Sequence, residues 1–278
     1  MQLILPIILM AALMSPASLT QPKVAPDTRN ISIERAIEDN SFLIEEAYNQ
    51  EEGVVQHISS FAIFPNPSRE IEFTFTQEWP LFAQDHQLSY SLGYFGADGS
   101  GGIGDILVNY RFQAFGSEEW AAVAPRISVL LRTGKGIAAS GSKVAGWQFN
   151  IPVSKRLSSL FTAHLNAGLT LEPGFEARLP NESVESRTLT SFNVGASLIW
   201  LPTPHFNILT ECLFTSSERP GDDAQSARSG EWILSPGARY AADMGALQIV
   251  PGIAIPFRIS DGDLTVGAFF YLSFEHPF

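Results

Sequence analysis

Apolar and small polar side chains alternate from Thr188 to Trp200. Thr190, Phe192, Val194, Ala196, Leu198 and Trp200 share one face, and Ser191, Asn193, Gly195 and Ser197 the other. A period of two marks a β-strand wetted on one side only. The pattern recurs near residues 70–79, 86–95, 103–115, 120–132, 144–154, 159–171, 205–216, 231–241, 246–258 and 263–277. Each segment is about as long as a tilted strand needs to cross a bilayer, roughly 9–11 residues.

The connections alternate too. Residues 80–85, 116–119, 155–158, 201–204 and 242–245 are short, whereas 96–102, 133–143, 172–187 and 217–230 are mostly longer and richer in Gly, Ser and charge. Outer-membrane barrels have short periplasmic turns and long external loops, so 80–85 is periplasmic and the strand at 70–79 begins outside. A chain entering from the periplasm then needs one more strand, and Val54–Phe64 is the candidate. The expected fold is all-β: a transmembrane antiparallel up-and-down β-barrel of about twelve strands, with a short N-terminal helical segment, in the bacterial outer membrane.

Alternation assigns the faces. Ile71, Phe73, Phe75, Trp79, Leu88, Tyr90, Leu92, Tyr94, Ile106, Val108, Tyr110, Phe112, Trp147, Phe149, Ile151 and Leu264 to Phe274 in steps of two point to lipid. A soluble sandwich also alternates, but would not expose so many large aromatics on one face. The opposite phase gathers Glu70, Glu72, Glu78, Asp105, Arg111, Arg126, Arg132, His164, Glu211 and Arg239, with Glu231 and Glu275, as candidate lumen residues. A cation on the lipid face costs about 2–4 kcal/mol at the midplane, which places these charges inside. They either stiffen the lumen as an ion-pair network or line a solute pathway. A barrel of this size lies between those filled by side chains and those open to water, so a narrow or plugged pore is expected.

Residues 1–17 read as a signal peptide, with an apolar stretch from Leu3 to Met14 and cleavage after Ala17. Residues 18–53 form an acidic N-terminal segment and 54–278 the barrel. Between 27 and 52, eight carboxylates stand against Arg29 and Arg35, a local charge of −6. Ser41 to Gln50 holds helix formers and no Gly or Pro, and predicts a short helix, either on the periplasmic surface or as a plug in the barrel mouth. The net charge of −12 argues against nucleic acid as a partner. The lone Cys212 rules out an intramolecular disulfide.

Gly99-Ser100-Gly101-Gly102-Ile103-Gly104 matches a dinucleotide fingerprint by letter, but a strand follows where a helix is required, so it reads as a glycine-rich external loop. His57, His86, His164, His205 and His276 show no metal-ligand spacing. No metal site, cofactor or catalytic residue is expected. His57-Ile58-Ser59 is a His-x-Ser triplet of the kind outer-membrane phospholipase A carries on its outer face. No third group to orient the base is evident, and a chance match is the stronger account.

The mature chain resembles the outer-membrane channels of the MetA pathway of phenol degradation. The residues behind this are Phe42-Leu43-Ile44-Glu45-Glu46-Ala47-Tyr48-Asn49-Gln50 leading into Val54-Val55-Gln56-His57-Ile58, then Gly102-Ile103-Gly104-Asp105 before Tyr110-Arg111-Phe112, and a closing strand ending at Phe278. The resemblance implies a passive channel or transporter for small solutes, among them aromatic or hydrophobic compounds, and recognition of the last strand by the barrel-assembly machinery. The other partners expected are outer-membrane lipid and the solute. An outer-membrane lipid hydrolase and a structural or adhesive barrel acting through loops 172–187 and 217–230 are the alternatives.

Overall fold

The computed structural model describes residues 41–278 apart from 67, 118, 140–141, 179–183 and 221–225. The expectations for residues 1–40, including the signal peptide, lie outside the described residues. Twelve antiparallel strands close into a barrel. They are β1 (Val54–Phe64), β2 (Glu70–Leu81), β3 (Ala83–Ala97), β4 (Ser100–Ile103 and Ile106–Phe112) and β5 (Ala122–Val123, Arg126–Leu131 and Lys135–Gly136). Next come β6 (Gly146–Arg156), β7 (Phe161–Arg178), β8 (Val184–Trp200), β9 (Phe206–Pro220) and β10 (Ser226–Tyr240, with Ala242–Met244). The last two are β11 (Leu247–Ala254 and Phe257–Ser260) and β12 (Asp263–Val266 and Ala268–Pro277). Each pairs with its sequence neighbours, and β1 pairs with β12 from Val54↔Pro277 to Ile63↔Ala268. The Phe278 amide donates to the Gly53 carbonyl at 3.0 Å, so the chain enters and leaves the wall at one rim, here called the entry rim.

Alternation holds along the wall. In β8, Phe192, Val194, Leu198 and Trp200 are exposed on the outside, while Ser197 and Ile199 are buried inside. Outer aromatics contact across strands, as in Phe214 against Trp232 at 4.7 Å.

Three expectations need correction. Ser41–Gln50 contains no helix; it runs irregularly through the lumen. The segments 172–187 and 217–230 are largely strand, because β7 to β10 continue past the expected boundaries. Polar residues there obscured the alternation that the backbone keeps, as Arg228 on Glu218 across β9 and β10 illustrates (3.0 Å). The glycine run at 99–104 is not a loop either. Asp98 and Gly99 form a tight turn with positive φ, and Ser100–Ile103 pairs back on β3. Glycine is required at 102 for close backbone approach, and at 101 a side chain would displace the exposed Tyr94 ring. A Cβ on Gly101 would stand 2.0 Å from the Tyr94 hydroxyl, and one on Gly102 2.0 Å from the Lys135 carbonyl.

Val194, on the outer face midway along β8, provides a test. Val194→Arg is expected to cost about 2–4 kcal/mol, measured as the loss in urea-unfolding free energy of the barrel folded into liposomes.

Candidate functional site

The interior is organised around the segment 41–50. A strand-lined lumen offers no unpaired backbone groups, so this segment's main chain is held by wall side chains. The Leu43 and Ile44 amides donate to Glu211 Oε1 at 2.8 and 3.0 Å. Asn166 clamps Glu45, accepting from its amide at 2.8 Å and donating to its carbonyl at 2.6 Å. The Ala47 amide donates to Ser154 Oγ at 2.7 Å, and Gln50's to Gln87 Oε1 at 2.7 Å. Arg111, buried in β4, donates to the Glu46 carbonyl at 3.1 Å, the Tyr48 carbonyl at 2.6 Å and the Asn49 side chain at 2.8 Å. These bonds take up groups a helix would have paired internally. Helix propensity loses to satisfied tertiary hydrogen bonds.

Glu45 is the electrostatic centre. Its carboxylate accepts from Arg126 Nε at 2.9 and 3.0 Å, from Asn150 Nδ2 at 2.6 Å, and lies 3.4 Å from Arg111. Burial acts to raise its pKa, but Arg126 and Arg111, with the Asn150 amide, outweigh burial and hold the carboxyl below its usual range. Arg126 is itself fixed by Asn109 at 3.0 Å and Gln148 at 2.9 Å.

Two apolar side chains anchor the segment at its start. Phe42 lies against Tyr271 and Phe269, with ring centroids 5.0 and 5.4 Å away. Its socket exists because Gly237 and Gly252 have no side chain: a Cβ would reach the Phe42 ring at 2.8 and 2.6 Å. Ile44 is buried over Gly195, where a Cβ would come within 2.3 Å of its Cδ1.

The remaining expected lumen residues also lie inside. His164 meets Ser154 at 2.7 Å, and the Tyr48 ring stands edge-on to it. Arg239 donates to Asn207 at 2.8 Å. Glu78 accepts from Gln87 at 2.7 Å. Glu275 pairs with Gln56. Towards the opposite rim, Arg132 bridges Asp105 at 2.7 Å and Glu172 at 3.0 Å. Glu70, Glu72 and Glu231 surround Arg258, Glu72 at 3.7 Å and Glu231 at 3.9 Å. The sequence reading missed Arg258, although it shares the inward phase of Val250 and Ala254. It missed Asn150, Asn166 and Gln148 as well, because neutral amides do not stand out against a polar face.

Two cavities remain beside the segment, of about 230 and 320 Å³. They share Leu43, Glu45, Arg126 and Gln148. The first adds hydroxyls such as Ser60, Thr74 and Thr76 and an apolar side from Phe42, Ile58 and Tyr271. The second is lined mainly by amides and hydroxyls, among them Asn193 and Thr215. On the outer wall, His57 shares a face with Ser59, but its Nε2 faces His276. No hydrogen bond joins His57 to Ser59 among the described residues.

A closed barrel with an apolar exterior, a polar interior and its own chain inside the lumen defines the protein as a twelve-stranded outer-membrane β-barrel. No protein-family model matches the chain, and no curated protein matches it. Its structure is similar to that of an outer membrane channel from Pseudomonas putida F1, with a TM-score of 0.61 over 84% of this chain and 98% of that one at 8% identity. The NanC porin aligns at a TM-score of 0.48 and 9% identity, covering 81% of this chain and 100% of the porin. The KdgM porin aligns at 0.46 and 8%, covering 80% and 99%. At such identities the likeness is one of fold.

Gly252→Ala should expel Phe42 without altering any charge, an overpacking cost of about 1–3 kcal/mol. Chymotrypsin is expected to cut the variant within 41–50 where the wild type is protected.

Proposed function

We propose that the barrel is a narrow passive channel for small solutes, closed midway by the segment 41–50. The observation that carries this is the Glu45–Arg126–Arg111 cluster. It ties an irregular, non-covalently held segment across a polar lumen whose two flanking cavities meet at the tie. Cavities of this size are at or below the lower end of ordinary ligand pockets, which favours small molecules. The first cavity pairs the Phe42 and Tyr271 rings with Ser and Thr hydroxyls, and so suits an aromatic compound bearing a hydroxyl. The resemblance of 42–58 to channels of phenol degradation supports the same class. In the upper lumen, Glu70, Glu72, Glu231, Asp105 and Glu172 outnumber Arg258 and Arg132, which favours cations and neutral solutes over anions. In this reading the outer face contacts lipid, and the strand ending at Phe278 is recognised by the assembly machinery.

Single-channel conductance of the refolded mature protein in planar bilayers tests the channel. Small cation-selective steps are expected, and a silent, correctly folded barrel would count against it. Glu45→Gln leaves Arg126 facing a neutral amide, while Arg111 keeps Glu46 at 3.6 Å. Losing the carboxylate of this partly buried pair weakens the tie between segment and wall, so longer or larger openings are expected.

Acidification provides an independent check. The Glu45 carboxyl is depressed in the folded state. Its contribution is therefore complete above the ordinary carboxylate range and is lost as pH falls through the depressed value. Open probability should rise below that range in the wild type, and this acid component should be smaller in Glu45→Gln.

A further inference from the structure

The closing seam brings together two imidazoles from opposite ends of the barrel sequence, His57 in β1 and His276 in β12. Their rings stack with centroids 5.4 Å apart, and their Nε2 atoms face each other at 3.3 Å. Nδ1 of His276 lies 2.9 Å from the Pro277 carbonyl. That contact keeps the ring proton on Nδ1 and leaves the Nε2 lone pair directed at His57. The His57 ring is held by Phe274, stacked at 4.6 Å, and by Phe75 at 6.2 Å.

We propose that His57 and His276 form a two-imidazole binding site for a divalent transition-metal ion of the zinc, copper or nickel class, on the outer wall near the entry rim, and that the bound ion staples the first strand to the last. Nitrogens bound to a tetrahedral ion at about 2.0–2.1 Å stand roughly 3.3–3.4 Å apart. The observed separation already meets this, so the strands bring the donor atoms to the required spacing and the rings need only turn until both lone pairs converge on the ion. Binding also needs a tautomer change: the proton that His57 Nε2 directs at His276 moves to His57 Nδ1, which frees both Nε2 lone pairs for the metal. Imidazole nitrogens select such ions over calcium or magnesium, which take oxygen ligands. No further His, Cys, Asp or Glu completes a larger cluster among the described residues. Water or lipid-headgroup oxygens therefore fill the remaining positions, consistent with a site at the rim that the ion reaches from water.

The test uses the refolded mature barrel, without a histidine tag, in detergent micelles. The thermal midpoint is read from its heat-dependent gel mobility with zinc chloride or with a chelator. Zinc at several times its dissociation constant should raise the midpoint by about 2–4 °C. The rise should vanish in His57→Gln and in His276→Gln. It should persist in His86→Gln, whose imidazole also lies on the outer wall, bonded to Tyr110 at 2.6 Å. The mobility in chelator establishes that each variant is folded. Copper(II) spin resonance should show nitrogen coordination in the wild type that either seam variant abolishes. No zinc-dependent rise in the wild type at millimolar zinc, or an equal rise in both seam variants, would overturn the proposal.

Discussion

A sheet edge in hydrocarbon has no water to satisfy its amides and carbonyls, and each unsatisfied group costs several kcal/mol. Pairing of β1 with β12 removes that cost for the whole wall, and the other features of the molecule follow from closure. The register Gln56↔Glu275 and Gln56↔Glu78 fixes which phase of each strand faces inward. A slip of one residue would turn Phe61 and Phe270 into the lumen and Gln56 and Glu275 into lipid.

Closure at twelve strands creates a second constraint. The interior is too wide for wall side chains to fill and too narrow to leave as open as a large porin. The chain fills the gap with its own segment 41–50. Buried polar backbone requires partners, and the wall supplies Glu211, Asn166, Ser154, Gln87 and Arg111. Small residues at Gly195, Gly237 and Gly252 make room for Ile44 and Phe42. One site thus combines a steric socket, a ladder of side-chain-to-backbone bonds and a charge cluster at Glu45.

This combination gives the segment its character. Its apolar anchors lie at the start, near Phe42 and Ile44, while its middle is held mainly by charge-assisted bonds. Such bonds depend on protonation and on both partners being present. The segment is therefore well fixed at neutral pH, yet joined to the wall by interactions that a single proton or substitution weakens.

The strand count, the facing of residues such as Phe192 and Ser197 and the closing strand up to Pro277 were legible in the sequence. A period of two and the cost of charge in lipid are local properties that every strand carries for itself. The tertiary structure alone decided what those properties cannot express. Ser41–Gln50 holds helix-forming residues, but its partners lie up to 168 residues away, so wall side chains and not propensity set its conformation. Polar strand ends at 172–187 and 217–230 hid pairing that their neighbours enforce. Arg258 and the amides of Asn150 and Asn166 become significant only where they converge on a carboxylate. His57 and His276, 219 residues apart, meet only because the sheet closes.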